Sequence, residues 1–206
     1  MKRESFSIHL VRSARYGTTF TLKSMLHKLL VVWADTCPEI SEYAVSSPTF
    51  EFFENGKARQ TSIPLSGQFR DGEPFFWDFS YASVLPAPSI ARQVRQAQAL
   101  ERGAAYLNFD ALSFGQNVIE KKNRQSAHSL LYLAHALDTA PLETLALMAL
   151  VEQPLTVQQL ALELAIMPTR ALVVVLRLWM TQKASIPMRT QLMQPSWPVV
   201  RAGYES

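Results

Sequence analysis

The sequence is poor in cysteine and glycine, and it has no long apolar run. Its one cysteine, Cys37, excludes an internal disulfide and a zinc site of several cysteines, and it fits a reducing cytosol. Seven glycines form none of the usual phosphate-loop motifs and no Gly-x-Ser-x-Gly elbow. The most apolar stretch, residues 171–180, contains Arg177 and is far shorter than the roughly 20 residues that span a bilayer. We therefore expect a cytoplasmic protein with no membrane partner.

The composition is that of a folded protein. Hydrophobic residues make up 48% of the 206 residues and charged ones 18%, so there is enough apolar surface to bury a core. The net charge of +3 is compatible with a polyanionic partner but too small to demonstrate one. A chain of this length favours two domains of unequal size.

The first half alternates helical and strand patterns. Apolar residues at three- and four-residue spacings predict a helix over 21–34. Asn55-Gly56 and Asp71-Gly72 each lie between apolar, aromatic-rich runs, which predicts two hairpins, the second joining 63–69 to 74–84. A helix over 89–102, capped by Ser89 and stopped by Gly103, and a short strand over 105–109 follow.

The second half has a helical pattern almost throughout. Apolar spacing predicts helices over 117–138, 141–152, 157–165 and 169–180, and a proline-containing stretch over 183–193 follows them. Helix, short turn, helix and a further loop are typical of a helix-turn-helix with a wing. We place the domain boundary so that residues 1–115 form one domain and 116–206 the other.

Several short strings occur in series in the first half. They are Ser24-Met25-Leu26-His27, Pro48-Thr49-Phe50-Glu51-Phe52, Asn55-Gly56-Lys57, Ile63-Pro64-Leu65, Asp71-Gly72 and Trp77-Asp78-Phe79-Ser80. In this order they resemble the TnsA endonuclease subunits of heteromeric bacterial cut-and-paste transposases. There a Ser-x-Leu-Glu-like helix precedes an Asn-Gly-Lys hairpin, a Pro-Asp strand, an Asp-Gly turn and a Glu-x-Lys strand. The resemblance extends over nearly the whole chain.

The resemblance implies an α/β fold, with a restriction-endonuclease-like α/β core followed by an all-α winged-helix-like domain. It also implies a Mg²⁺ site made by carboxylates on adjacent elements, with a lysine beside the last acid. The matching positions here hold His27, Leu65, Asp78 and Ser80. Only Asp78 can be a carboxylate ligand, so we expect Mg²⁺ binding and DNA cleavage to be lost.

The same resemblance makes a geometric prediction: Asp78 lies on a strand beside the strand of Leu65, and His27 lies on a helix facing both. If these three side chains do not converge, the assignment to the family is wrong. Asp78 is either a residual acid of such a site or the outward residue of an alternating strand. His27 has no second histidine or cysteine at ligand spacing, which favours a structural role. Other acids could supply ligands in a rearranged site: Glu51, Glu54, Asp71, Glu73 and Asp110.

For function, the resemblance implies a catalytically inactive subunit of a DNA transposition complex, without a cofactor. Its partners would be double-stranded DNA, a DDE-type transposase subunit and an AAA+ ATPase regulator. The basic residues expected to contact DNA are Arg92, Arg95, Lys121, Lys122 and Arg170. The 169–180 helix has few side chains suited to reading bases, so we expect it inside the fold or against a protein. A metal-dependent endonuclease that cuts transposon ends and a winged-helix DNA-binding regulator are the alternatives.

Overall fold

The computed structural model describes residues 8–80, 89–110 and 112–203, and the chain is mixed α/β. It divides into two compact units. The first takes the described residues of 8–11, 19–34 and 39–116, and the second takes 12–18, 35–38 and 117–203. Two short segments from the N-terminal part of the chain therefore belong to the second unit, which the sequence-based boundary after residue 115 does not anticipate.

Among its described residues the first unit contains two helices and most of the strands. They are β1 (His9–Arg12), β2 (Thr19–Leu22), α1 (Met25–Asp35), β3 (Ile40–Val45), β4 (Thr49–Glu54), β5 (Lys57–Ser62), β6 (Leu65–Phe69), β7 (Pro74–Phe79), α2 (Ile90–Glu101) and β8 (Ala105–Phe109). The ends of β1 and α1, Arg12 and Asp35, belong to the second unit. Strands β1 and β2 pair with each other, as do β4 and β5, and the remaining four form one sheet.

Both predicted hairpins are present. Strands β4 and β5 pair antiparallel around Asn55 and Gly56, whose φ angles of 51° and 74° are those of a type I′ turn. Strands β6 and β7 pair antiparallel around the Asp71-Gly72 turn. Strand β7 ends at Phe79, earlier than predicted, and residues 81–84 of the predicted strand lie outside the described residues.

The predicted helix over 21–34 begins too early. Thr21 and Leu22 pair with β1 instead, and α1 begins at Met25, where the hydroxyl of Ser24 accepts the backbone N–H of His27 at 3.0 Å. Helix α2 is as predicted: Ser89 caps it and Gly103, at a φ of 63°, follows its end.

The main sheet has the order β3-β6-β7-β8, with β8 parallel to β7 and the other pairs antiparallel. Side chains of β7 alternate between its two faces. One face carries Trp77 and Phe79, and the ring of Phe79 lies 5.5 Å from that of His27 on α1. The other face carries Phe76, which packs with Ala99 of α2. Helices α1 and α2 thus lie on opposite faces of the sheet.

Gly67 allows the edge strand β3 and its neighbour β6 to approach closely. A β-carbon there would overlap the carbonyl oxygen of Glu42 and lie 2.8 Å from the ring of Phe75. We predict that Gly67→Ala lowers the free energy of unfolding by about 2–3 kcal/mol through overpacking, because the nearest atom belongs to the backbone and cannot move aside. Gly56→Ala is the control, because its surroundings are open and only its positive φ adds a cost, about 1 kcal/mol. Equal losses in urea denaturation would contradict the steric explanation.

The second unit contains α3 (Val118–Leu133), α4 (Ala140–Glu152), β9 (Leu155–Thr156), α5 (Val157–Glu163), α6 (Pro168–Met180), β10 (Ala184–Ser185) and β11 (Pro198–Arg201). The strands form an antiparallel sheet in the order β10-β11-β9. The expectation of an all-α domain is therefore wrong. It failed because strands of two to four residues are too short to produce a period-two pattern.

Helix α6 forms the centre of the second unit. Its residues Val174, Val175, Leu176 and Leu178 are fully buried and pack with Trp197, which confirms that this helix lies inside the fold. Among the described residues no single helix is long and apolar enough to cross a membrane. The pair α5 and α6 would pass by length and composition, but it is bent by 107°.

Candidate functional site

Asp78 lies at the centre of a buried polar cluster on the α2 face of the sheet. Its Oδ2 accepts hydrogen bonds from Nε of Arg95 at 2.8 Å and from the hydroxyl of Tyr106 at 2.6 Å. The Nη2 of Arg95 lies 2.7 Å from the same oxygen, and Nε of Arg92 lies 3.9 Å away. Its Oδ1 accepts the N–H of Phe79 at 2.8 Å. The carboxylate is thus surrounded by donors.

The side chains around Asp78 are held in place by hydrogen bonds to the carboxylate and to each other's neighbours. Nη1 of Arg95 donates to the hydroxyl of Thr61 at 2.6 Å, so all three nitrogens of this guanidinium face the protein. Burial raises the pKa of Tyr106, and the hydrogen bond and charge of Asp78 raise it further, which keeps the phenol protonated as a donor. A carboxylate with this shell has little capacity left for a metal ion.

Two of the four positions matched to the nuclease site lie away from Asp78. Strand β7 is next to the strand of Leu65, as predicted, but Leu65 pairs with Trp77 and therefore shares its face. His27 donates from Nε2 to the carbonyl of Pro64 at 2.8 Å on that same side. The predicted convergence of His27, Leu65 and Asp78 is wrong, because adjacent residues of a strand point to opposite faces. This convergence was the geometric test of the resemblance to the TnsA family, so its failure counts against that resemblance.

Ser80 lies nearer to Asp78. It follows two residues after Asp78 in the chain, and its hydroxyl accepts a hydrogen bond from the side chain of Asn108 at 3.1 Å. Asn108 pairs with Asp78 across β7 and β8. The structure therefore brings Asp78 and Ser80 to one end of the sheet with α2, without a second acid in the set.

Four of the five other acids considered as metal ligands have local partners, among them Glu54, whose carboxylate lies 3.9 Å from Nε of Arg59. Glu51 accepts from Gln60, Asp71 accepts the N–H of Glu73, and Asp110 accepts the N–H and hydroxyl of Ser113. These bonds from Ser113 lower the pKa of Asp110. Within the described ranges no three side chains of His, Cys, Asp or Glu are placed to hold a metal ion. The residues around Asp78 do not fit Mg²⁺.

No known protein family and no curated protein matches this chain. The resemblance to the TnsA family therefore depends on the serial order of short strings and on the order of the elements around them.

The basic residues expected to contact DNA fall into two groups. Arg92 and Arg95 point towards Asp78, and their side chains are only 17% and 14% exposed. Lys122 and Arg170 are exposed and Lys121 is partly exposed. Glu120 does not neutralise the lysines, because it is buried and pairs with Arg124 at 2.8 Å.

Lys122 lines an open groove of about 700 Å³ along α3. It shares one stripe of the helix with three further hydrogen-bonding side chains, at spacings of three and four residues. These are Gln125, Ser126 and Ser129. The opposite wall is formed by Leu192 and Met193, from the segment between β10 and β11. Lysine, glutamine and serine are side chains that bind phosphate oxygens.

Tyr106, Thr61 and the three polar side chains that line the groove with Lys122 were not predicted from the sequence. Tyr106 could have been found by pairing 105–109 with 75–79, since alternation puts position 106 beside position 76 on the face of Asp78. The stripe on α3 could have been found by its spacing alone. Thr61 contacts Arg95 because two elements that are distant in sequence pack together, and no local sequence pattern indicates this contact.

His27 gives the first unit a specific pH dependence. Burial lowers its pKa below the ordinary value of 6.5, and Lys23 adds to this, while the bond to Pro64 opposes it. The unfolded chain then binds a proton at higher pH than the folded one, so this stabilisation is present above about pH 6.5 and decreases below it. We predict that His27→Gln, which keeps a donor for Pro64, weakens the loss of stability between about pH 7 and 5. Unchanged pH dependence in urea denaturation would contradict this.

Proposed function

We propose that this protein is a non-cleaving, DNA-binding scaffold that resembles the TnsA subunit and acts in a transposition complex. The observation that carries the non-cleaving part is the shell of Asp78, where two arginines and a tyrosine surround the only acid at the matched positions. In this shell the carboxylate stabilises the fold and has no role in activating water. The transposition part has the serial order of the strings and of the first unit's elements in its favour, and the failed convergence of His27, Leu65 and Asp78 against it.

The second unit supports the DNA-binding part. From α4 to β11 the elements follow the order helix, strand, helix, helix, strand, strand, which is the order of a winged helix. We propose that the second unit is a winged-helix domain. The exposed side of α6 is limited to its first residues, among them Arg170. We therefore assign phosphate contact to the groove beside α3, through Lys122, Gln125 and Ser126, with little base reading.

The same order of elements favours a second candidate, a winged-helix DNA-binding protein that acts outside transposition. The two candidates predict the same phosphate contacts but differ in their partners. Pull-down of the purified protein with a DDE-type transposase subunit or an AAA+ ATPase from the same genome separates them: binding supports the transposition role. Failure to bind either one, with duplex binding retained, supports the regulator.

Titration calorimetry tests the proposal directly. We expect no heat of binding with Mg²⁺ or Mn²⁺, and measurable binding of a short duplex at near-physiological salt. Lys122→Glu should weaken duplex binding and lower the salt slope by about 1, since one phosphate contact is lost. Lys57→Glu, an exposed change of equal charge in the first unit, should reproduce neither effect.

Two results would contradict the proposal in different ways. Micromolar Mn²⁺ binding and duplex nicking that disappear in Asp78→Asn would restore the metal-dependent endonuclease. Equal duplex affinity for wild type, Lys122→Glu and Lys57→Glu would remove the groove beside α3 from the DNA-binding surface.

A further inference from the structure

Strand β8 forms one edge of the main sheet. It comes last in the strand order and pairs with β7, so on its other side it has no neighbouring strand among the described residues. Ala105, Leu107 and Asn108 are exposed, and Leu107 is exposed to 48%. The open side of β8 is therefore accessible from solvent.

The pairing with β7 decides which backbone groups of β8 point to the open side. The carbonyl of Phe109 accepts the N–H of Ser80 at 2.8 Å, so the backbone groups of Phe109 face β7. Alternate residues of a strand direct their N–H and C=O groups to opposite sides. Tyr106 and Asn108 therefore direct theirs to the open side, where the described part of the chain provides no partner for them.

Exposed edge strands are usually protected against further pairing by charges, prolines or bulges. The opposite edge strand, β3, has two of these features, an irregular register between Ile40 and Glu42 and the charge of Glu42. Strand β8 has none of them. Its register with β7 is regular over all its residues, and its sequence contains no charged residue and no proline. Of the two edges, β8 is the one suited to pairing with another strand.

Two copies of β8 complement each other in one antiparallel register. Hydrogen-bonded residues of an antiparallel pair exchange both of their backbone bonds, and they alternate with non-hydrogen-bonded pairs. With Tyr106 of each copy opposite Asn108 of the other, every outward N–H and C=O of both strands finds a partner. Leu107 then lies opposite Leu107 of the second copy in the non-hydrogen-bonded pair between them, where side chains approach most closely.

The residues that flank β8 are compatible with this register. Ala104 and Asp110 already use their N–H groups, which donate to the carbonyl of Ala99 at 2.8 Å and to the hydroxyl of Ser113 at 3.1 Å. The new pairing therefore ends at these two residues, which lie opposite each other. Asp110, the charged residue nearest to β8 in sequence, thus meets an uncharged residue, and its two copies lie at opposite ends of the pair.

We propose that two copies of this chain associate edge to edge through β8, in an antiparallel pair centred on Leu107. Such a two-fold pairing uses the same surface on both copies and closes on itself, so it produces a dimer. It joins the two four-stranded sheets into one continuous sheet. Because a strand of five residues makes a small contact, the dimer should be reversible and concentration-dependent. This inference goes beyond the proposed function and does not depend on DNA binding.

Single cysteines test the register, in a background with Cys37→Ser. The Cα atoms of a non-hydrogen-bonded antiparallel pair lie about 4.5 Å apart, within the range of a disulfide. With oxidised glutathione as the oxidant, Leu107→Cys should form a covalent dimer at least about tenfold faster than Ala105→Cys. Ala105 is the matched control, because it is also exposed in β8 but would lie roughly 13 Å from Ala105 of the second copy.

Two substitutions at Asn108 separate its backbone from its side chain. Asn108→Pro removes the outward N–H and should weaken dimerisation in analytical ultracentrifugation at least about tenfold, because each copy loses a donor. Asn108→Ala removes the side-chain bond to Ser80 but keeps the N–H, and should dimerise within about twofold of the wild type. Leu107→Lys replaces Asn108→Pro if that variant does not fold, since two lysines would then face each other. Lys122→Glu should dimerise like the wild type, which separates this inference from the proposed function.

Three results would overturn the inference. A wild-type chain that sediments as a monomer at roughly millimolar concentration would exclude the dimer. Equal cross-linking rates for Leu107→Cys and Ala105→Cys would exclude the register centred on Leu107. Assemblies larger than a dimer that Asn108→Pro abolishes would mean that β8 pairs head to tail with a different surface, such as the edge strand β3.

Discussion

Replacing Asp78 with alanine is expected to lower the free energy of unfolding by about 3–5 kcal/mol, because it leaves buried cationic and hydroxyl groups without their acceptor. Arg95 would lose two of its three contacts, and Tyr106 would lose the only acceptor described for its hydroxyl. The loss is measured by urea denaturation followed by circular dichroism. An acid kept for catalysis behaves differently, since removing it often stabilises a protein.

Two further variants test the cause of that loss. In Asp78→Leu combined with Arg95→Met, apolar groups of similar size replace both charges, and much of the stability should return. Glu73→Gln removes an exposed acid from the loop before β7 and should change stability by less than about 0.5 kcal/mol. If Asp78→Ala unfolds at the same urea concentration as the wild type, the cluster is not structural and the acid is free for another role.

The elements that could be predicted from the sequence are those with local causes. Asn55-Gly56 adopts positive φ angles that suit a type I′ turn, and Ser89 and Gly103 bound α2 through their own backbone and side-chain chemistry. The start of α1 could not be predicted in this way. Leu22 fits the helical spacing, but pairing of β2 with β1 takes it into a strand.

For the candidate site, the sequence predicts which strands pair but not their register. The Asp-Gly turn gives the antiparallel pairing of β6 with β7, but the register depends on the number of residues in the loop between Phe69 and Pro74. The observed register pairs Leu65 with Trp77. A shift of one residue would have put Leu65 on the face of Asp78, and no local pattern distinguishes the two registers.

Removing Asn123 is expected to release the segment between β10 and β11 and to lower the free energy of unfolding by about 2–4 kcal/mol, because the carbonyl of Met188 and the N–H of Met193 lose this partner. The carbonyl of Gln191 keeps the indole N–H of Trp197. The side chain of Asn123 is 1% exposed, donates to the carbonyls of Met188 and Gln191 at 2.8 and 2.7 Å, and accepts the N–H of Met193 at 2.9 Å. In Asn123→Ala, hydrogen exchange should accelerate first at the amide of Met193.

The same variant connects the fold to the proposed DNA surface. Met193 and Leu192 form one wall of the groove that Lys122 lines, so the release of this segment should also weaken duplex binding. Gln125→Ala is the control for α3, since it shortens an exposed side chain of the same helix without touching the segment. It should keep the slow exchange of Met193 and the stability, and lose only part of the duplex affinity. Slow exchange at Met193 in Asn123→Ala would mean that packing around Trp197, and not Asn123, holds the segment against α3.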